Sequence, residues 1–269
     1  MTIANIMVAV DLGESARDRI HLAAYLADDF HAGLIGVAAE MPDYGGAPVG
    51  PTPGGAYGIP AIQETVLDDL RRAQATFREA TGGRSRTEWR SNLDFPLAFL
   101  TSQVAVADLV VLGREGDGDP CLSVDPGDVL MRVGRPVLVV PPKVSRLDVK
   151  RVAIGWKNTR EARRAVRDAL PFLKRAIQTV VVAVDEGGGS AETQDVVAFL
   201  QAHDVRSTPL RTEAHGTSAA AALVDAAAEH GADLIVTGGY GHGRLREWAF
   251  GGVTRSLLAR TPVCCLMSH

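Results

Sequence analysis

The chain contains one pattern of segments twice, and this internal repeat limits its fold more than any other sequence feature. The run ADLVVLG at Ala107 to Gly113 returns as ADLIVTG at Ala232 to Gly238. Arg135-Pro136-Val137 likewise returns as Thr261-Pro262-Val263. Each copy far exceeds the roughly 20 to 50 residues of a solenoid module. The repeat therefore predicts two complete domains in series.

The domain boundaries follow from the point where the pattern restarts. Val152 to Trp156 repeats the apolar run Met7 to Val10, and a polar stretch led by two prolines precedes it. We therefore expect a first domain at residues 1–141, a linker at 142–150 and a second domain at 151–269.

Within each copy, apolar strand-like runs alternate with helical segments. Ile6 to Val10 is continuously apolar, Ser15 to Asp29 has helical spacing, and Gly33 to Ala39 is apolar again. Continuous apolar runs between helices are typical of parallel strands that are buried on both faces. The sequence therefore predicts an α/β fold of two tandem doubly wound domains, with helices on both faces of each open parallel sheet.

The same reading assigns the other segments. Met41 to Pro60 is so rich in glycine and proline that it predicts an irregular excursion without a helix. Arg86 to Ser91 is expected to be an edge strand. The remaining expected helices are Ala61 to Thr81, Phe95 to Ala105 and Arg160 to Leu173, and the remaining expected strands are Ala107 to Leu112, Arg135 to Val140, Gln178 to Val184 and Ala232 to Gly238.

Composition narrows the class of protein. The 269 residues are 46% hydrophobic and 22% charged, which is typical of a soluble globular protein. The net charge of −4 argues against nucleic acids and anionic membranes as partners. The N-terminus lacks the basic region of a signal peptide, and no apolar run approaches the roughly 20 residues of a membrane-spanning helix. The 3 cysteines form no disulfide framework. A cytoplasmic location is expected.

The most informative motif is the glycine-rich run from Gly238 to Thr254. An apolar strand pattern precedes it, and a short helical segment follows it and stops before Pro262. Glycines allow the backbone to approach a ligand closely. A helix that begins at Gly252 offers unpaired N–H groups and the positive end of its dipole. The motif therefore predicts a phosphate cradle.

The spacing of these glycines resembles the nucleotide loop of the universal stress protein family. Two residues separate Gly238 from Gly241, and nine separate Gly241 from Gly251, as in the family's G-x2-G-x9-G-[S/T]. The chain departs from the pattern at Gly252, where the family has a Ser or Thr that contacts phosphate. The resemblance covers both copies and implies five strands per domain, in the order 3-2-1-4-5. It also implies that ATP or AMP binds in the second domain.

The resemblance places the candidate ligand residues of the second domain on three loops. Lys157 stands where the family has an acidic residue for the ribose; it cannot accept a hydrogen bond from the ribose hydroxyls, but it could reach a phosphate. The full set of candidates is Trp156, Lys157, Ala183, Gly238, Gly241, His242, Gly251, Gly252, Val253 and Thr254.

The first domain shows the reverse pattern. Asp11 matches the family's acidic residue, but ten residues instead of nine separate Gly116 from Gly127, and Asp128 follows. Carboxylates repel a polyphosphate, most strongly in a low-dielectric cleft. The first nucleotide loop is therefore expected to be degenerate. Its acidic residues are expected to form a solvated turn, with a cation site or a partner surface as alternatives.

The resemblance implies a protein of the stress response that binds an adenine nucleotide and acts through its conformation or an unknown protein partner. Two alternatives stay open. One is an interaction module that needs no nucleotide, and the other is a slow ATP hydrolase, which would require Mg²⁺. Catalytic residues and a resident metal are not predicted. The last strands of the two domains are expected to pair edge to edge in an intramolecular pseudo-dimer, and a homodimer of chains is the further possibility.

Overall fold

A computed structural model defines the protein over residues 2–43, 55–185, 193–214, 218–240 and 252–269, with the backbone alone defined at 55–59. The described residues contain one mixed sheet of 10 strands. The strands are β1 Asn5–Ala9, β2 Gly33–Ala39, β3 Thr87–Asn92, β4 Leu109–Gly113, β5 Val137–Val140, β6 Arg151–Gly155, β7 Gln178–Asp185, β8 Ser207–Glu213, β9 Leu234–Gly238 and β10 Cys264–Ser268.

The strand order shows the repeat directly. The order across the sheet is β3-β2-β1-β4-β5-β10-β9-β6-β7-β8. When the strands of each half are numbered from one to five along the chain, both halves have the predicted order 3-2-1-4-5. The second half reads in the opposite direction across the sheet, so that the two fifth strands are neighbours. The strands within each half are parallel. The predicted edge-to-edge pairing is also present within the chain, where β5 and β10 are antiparallel with Leu138 opposite Leu266.

Helices cover both faces of the sheet. They are α1 Ala16–Phe30, α2 Gly55–Thr81, α3 Pro96–Gln103, α4 Pro126–Arg132, α5 Arg160–Asp168, α6 Leu170–Leu173, α7 Gln194–Ala202, α8 Ala219–Glu229 and α9 Val253–Arg260, with a 3-10 turn at Val104–Val106. Alternate residues of β1 show why both faces need cover. Ile6 and Val8 belong to one buried apolar cluster, and Met7 and Ala9 belong to the other. A strand that is apolar on both sides must be packed on both sides.

Two sequence predictions about helices were wrong in detail. The segment from Met41 to Pro60 was expected to hold no helix, but α2 begins at Gly55 and contains Pro60. Pro60 is the sixth residue of α2, where its missing N–H costs the helix one backbone hydrogen bond. Residues 44–54 of that segment lie outside the described residues.

The second difference concerns the helix expected from Arg160 to Leu173. It is divided into α5 and α6 at Ala169. Pro171 explains the division, because proline has no N–H to continue the helical hydrogen bonds.

In the part of the chain that the structure describes, no helix is long and apolar enough to cross a membrane.

Candidate functional site

The winding of the sheet reverses once in each half. β1 pairs with both β2 and β4, and β6 pairs with both β7 and β9. In open parallel sheets, ligands bind beyond the carboxyl ends of the strands at such a reversal. The two candidate sites are therefore the crevices after β1 and β4 and after β6 and β9.

In the first crevice, the chain neutralises its own acidic residue. Nη2 of Arg19, on α1, lies 2.6 Å from Oδ2 of Asp11, and the side chains are 1% and 7% exposed. Nε of Arg19 donates to the carbonyl oxygen of Ala9. The other carboxylate oxygen of Asp11 accepts the N–H of Gly13 at 2.8 Å. The oxygens that the resemblance offers to a ribose are thus already used.

A cavity of about 180 Å³ remains in this crevice, lined by Asp11, Arg19 and the loop after β4. Among the described residues, none hydrogen-bonds the buried Nη1 of Arg19. A β-carbon built on Gly118 would lie 3.0 Å from Oδ2 of Asp11, so the loop is folded against that carboxylate. The chain itself therefore covers the position next to Asp11.

The acidic residues of this loop bind groups of their own chain. Asp117 forms an ion pair with Arg114 at 2.7 Å. Asp119 accepts the N–H of Cys121 at 2.9 Å. Asp125 caps α4 by accepting the N–H of Asp128 at 2.8 Å. These contacts support the expectation that the first crevice does not hold a polyphosphate, since a carboxylate already occupies the start of α4.

The second crevice is built differently, although the fold is the same. A β-carbon on Gly238, the last residue of β9, would lie 2.4 Å from the backbone nitrogen of Ala162. The first turn of α5 therefore packs directly on the end of β9, and only glycine leaves room for it. In the first half, the corresponding Gly113 instead faces Nη1 of Arg19, which a β-carbon would approach to 2.7 Å.

The glycine loop of the second half ends at the start of α9. Gly252 is the N-cap of this helix and has extended backbone angles, φ −50° and ψ 155°. Because glycine has no side chain, it cannot cap the helix as Asp125 caps α4. Thr254, in the first turn, is buried and its hydroxyl accepts the N–H of Tyr240 at 3.1 Å. This bond joins the two described ends of the loop.

The structure brings together some of the predicted ligand residues. Gly238, Gly252, Val253 and Thr254 lie at the two ends of one loop, whereas Gly241, His242 and Gly251 lie outside the described residues. Trp156 is buried in the apolar core at 8% exposure, and Ala183 is buried in β7. Lys157 follows Trp156 and is exposed.

No group of three or more His, Cys, Asp or Glu that could hold a metal ion occurs in the described ranges.

Sequence reasoning did not identify Arg19 or Tyr240. Arg19 had a readable signal, because it interrupts the apolar face of α1 and follows the acidic Asp11. Tyr240 had none, since its hydroxyl lies over a residue of the other half of the chain. A β-carbon on Gly127 would lie 2.5 Å from the Tyr240 hydroxyl.

Comparison with known proteins identifies a family for the second half of the chain. Residues 149–269 match the universal stress protein family. The second half of the chain is therefore similar in sequence to this family. No match to a curated protein was found.

Solved structures extend the likeness of fold to both halves. A universal stress protein from Archaeoglobus fulgidus has 17% sequence identity and a TM-score of 0.66, covering 97% of this chain and 94% of that one. A protein of unknown function from Pseudomonas aeruginosa has 16% identity and a TM-score of 0.54, covering 98% and 92%. A universal stress protein solved with cAMP has 25% identity and a TM-score of 0.35, covering 52% and 98%.

Proposed function

We propose that the second half of the chain binds an adenine nucleotide, ATP or AMP, with its phosphate groups at the start of α9. One observation carries the proposal, namely the difference between two helix starts. Asp125 caps α4 with its carboxylate, whereas Gly252 leaves the first amides of α9 without a side-chain cap of its own. Unpaired amides and the positive end of a helix dipole attract phosphate oxygens.

Two side chains at this end of the sheet favour an anion. The Thr254 hydroxyl accepts the N–H of Tyr240, and a hydroxyl group can also donate its proton to a phosphate oxygen. Lys157 is exposed on the loop after β6, at the same end of the sheet. It replaces the negative charge of Asp11 with a positive one. Both features suit phosphate better than they suit a ribose.

The match of residues 149–269 to the universal stress protein family supports a role in the stress response. In this proposal, the protein acts through its conformation or through an unknown protein partner. ATP hydrolysis is the enzymatic alternative, and Mg²⁺ would then accompany the phosphates.

Two substitutions at Gly252 test the proposal. Gly252→Asp copies the carboxylate cap of α4 and places a negative charge where phosphate would bind. We expect it to abolish binding of ATP and AMP in calorimetric titration while the protein keeps its thermal stability, because Asp is a good N-cap. Gly252→Ser is the matched control, since its hydroxyl can both cap the helix and donate to phosphate, and it should retain binding.

Mass spectrometry of the ligand released from denatured wild-type protein provides a second, independent measurement. The release of ATP or AMP would support the proposal. Wild-type protein that releases no nucleotide and shows no heat of binding would refute it. If wild-type protein releases phosphate from ATP faster than the Gly252→Asp variant does, the protein is an ATP hydrolase.

A function without nucleotide is the second candidate, and the packing at Gly238 favours it. The first turn of α5 occupies the space beside this glycine, and the carboxylate of Glu161 is buried in that turn. Here the two halves would form a rigid interaction module. Partner binding that is unchanged by Gly252→Asp would select this candidate.

A further inference from the structure

Tyr240 has an unusual backbone and an unusual position. Its φ of 56° lies in the left-handed region, which residues other than glycine seldom adopt. Its side chain leaves the second half and reaches the first. A β-carbon on Gly127, in α4, would lie 2.5 Å from the Tyr240 hydroxyl and 3.0 Å from Oδ1 of Asp125. The tyrosine hydroxyl therefore lies directly over the start of α4.

Gly239, the preceding residue, is also enclosed by both halves. A β-carbon there would lie 2.4 Å from Cδ2 of Leu130, in α4, and 3.5 Å from Cγ2 of Thr254, in α9. Its N–H donates to the carbonyl oxygen of Ser268 at 2.9 Å. Gly239 is thus held between a helix of the first half and a helix of the second.

Two further contacts close the same interface from the opposite side. The N–H of Glu115 donates to the carbonyl oxygen of Leu258 at 3.1 Å. Arg114 donates from Nη1 to the carbonyl oxygen of Thr261 at 3.4 Å. The loop after β4 therefore contacts α9, just as the loop after β9 contacts α4. Each glycine loop is anchored on the other half of the chain.

We propose that Tyr240 is a positioning residue, which docks on Gly127 and thereby fixes the entry of the second-half glycine loop. The consequence for ligand binding rests on the nucleotide-binding function proposed above. The second site is then completed by the first half, in which Arg19 pairs with Asp11 and Asp125 caps α4. A half that holds no nucleotide still acts in binding, because it supports the loop of its partner half.

The physical reason for the docking is shape. A tyrosine hydroxyl fits over Gly127 only because glycine has no β-carbon, and a bulkier residue there would displace it. The bond from the Tyr240 N–H to the Thr254 hydroxyl carries that position to the first turn of α9. Displacement of the side chain therefore moves the backbone that leads into the proposed phosphate site.

The test is a double-mutant cycle in the full chain, with ATP as the probe. Gly127→Ala, in the first half, should weaken ATP binding in the second half about tenfold, which lies within the usual range for coupling between sites. Tyr240→Phe removes the atom that the new methyl group would meet, and the double variant should recover most of the affinity. A purely structural effect of Gly127→Ala would not be rescued in this way.

Gly13→Ala is the matched control. Its β-carbon would contact Asp11 and Asp117 at 3.0 Å, so it disturbs the first half without touching Tyr240. We expect it to alter stability and leave ATP affinity unchanged. Unchanged affinity in Gly127→Ala, or equal losses in Gly127→Ala and Gly13→Ala, would overturn the inference.

Hydrogen exchange of the nucleotide-free protein separates this inference from the proposed function. Protection of the Tyr240 amide should fall in Gly127→Ala and return in the double variant, whether or not ATP binds. If wild-type protein binds no ATP but this pattern appears, the docking stands and the nucleotide function fails. If Tyr240 protection is the same in all the variants, the docking is refuted.

Discussion

The guanidinium of Arg19 and the carboxylate of Asp11 form a buried ion pair at 2.6 Å across the mouth of the first crevice. The corresponding positions of the second half hold different residues. Lys157 stands at the position of Asp11 in the second half, and the arginine is matched there by Ala165, a residue with no exposure. The first half therefore has a buried ion pair at these two positions, whereas the second half has an exposed lysine and a buried alanine.

This relationship predicts a large effect from a single change. Arg19→Ala should destabilise the protein by about 3–5 kcal/mol, because it leaves the Asp11 carboxylate buried and uncompensated. Urea unfolding followed by circular dichroism measures the loss. Arg17→Ala, two residues earlier on the same helix, is the control, since its ion pair with Glu79 is exposed and should contribute at most about 1 kcal/mol. Equal losses in the two variants would contradict the prediction.

Glu40 predicts an unusual pH dependence. Burial raises the pKa of this carboxyl group, and the carboxylates of Asp69 and Asp119 add to the increase. The folded protein therefore holds the proton of Glu40 more tightly than the unfolded chain does. This proton stabilises the folded state fully at pH values below the pKa that Glu40 has in the unfolded chain. The stabilisation is lost as the pH rises through the higher pKa that Glu40 has in the folded protein.

Glu40→Gln removes this charge. We expect the variant to be more stable than wild type at pH 7, on the order of 1 kcal/mol, and to have no advantage in acid. Urea unfolding across the pH range tests this. Glu88→Gln should behave in the opposite way, since a hydrogen bond from Arg90 lowers the pKa of Glu88. If the free energies of unfolding of Glu40→Gln and wild type differ by the same amount at acid and neutral pH, the explanation is wrong.

The seam between β5 and β10 predicts that the two halves unfold together. Leu138 and Leu266 are register partners there, and both have no exposure. Leu138→Ala should cost about 2–5 kcal/mol and shift one cooperative transition. Ile177→Ala, at a position that is 75% exposed, should change stability by at most about 0.5 kcal/mol. Two separate transitions, of which only one moves, would argue that the seam does not couple the halves.

The three cysteines are expected to differ in their reactivity toward a thiol reagent, because one is exposed and two are buried. Burial raises the pKa of Cys264 to about 12 and raises that of its neighbour Cys265 as well. Cys121 is exposed, although partial burial and the charges of Glu40, Asp119 and Asp69 raise its pKa too. The thiolate is the reactive form. The native protein should therefore expose one slowly reacting thiol, and its rate should increase with pH.

Cys121→Ser provides the control for this experiment. Absorbance of the released thiol product should show no reaction in the native variant and reaction at the other two cysteines after denaturation. Rapid native modification of Cys264 or Cys265 would mean that the β10 strand is not packed as the structure shows.

The apolar runs of the sequence determined most of the fold. Ile6 to Val10 and Ala232 to Gly238 could be assigned as buried parallel strands because both of their faces are apolar. The edge position of β3 was also predicted and confirmed. Helix limits were less readable, as Gly55 and Ala169 show, because one backbone hydrogen bond decides where a helix containing proline begins or ends.

By itself, the sequence determined that one α/β fold occurs twice and that a glycine-rich loop precedes α9. These properties depend on neighbours along the chain, through periodicity and the shape of glycine. Only the tertiary structure decided that Arg19 pairs with Asp11 in the first crevice and that the Tyr240 hydroxyl lies over Gly127. Such contacts join residues whose distance is set by the packing of whole elements. The composition of a loop cannot reveal which distant side chain will occupy the space beside it.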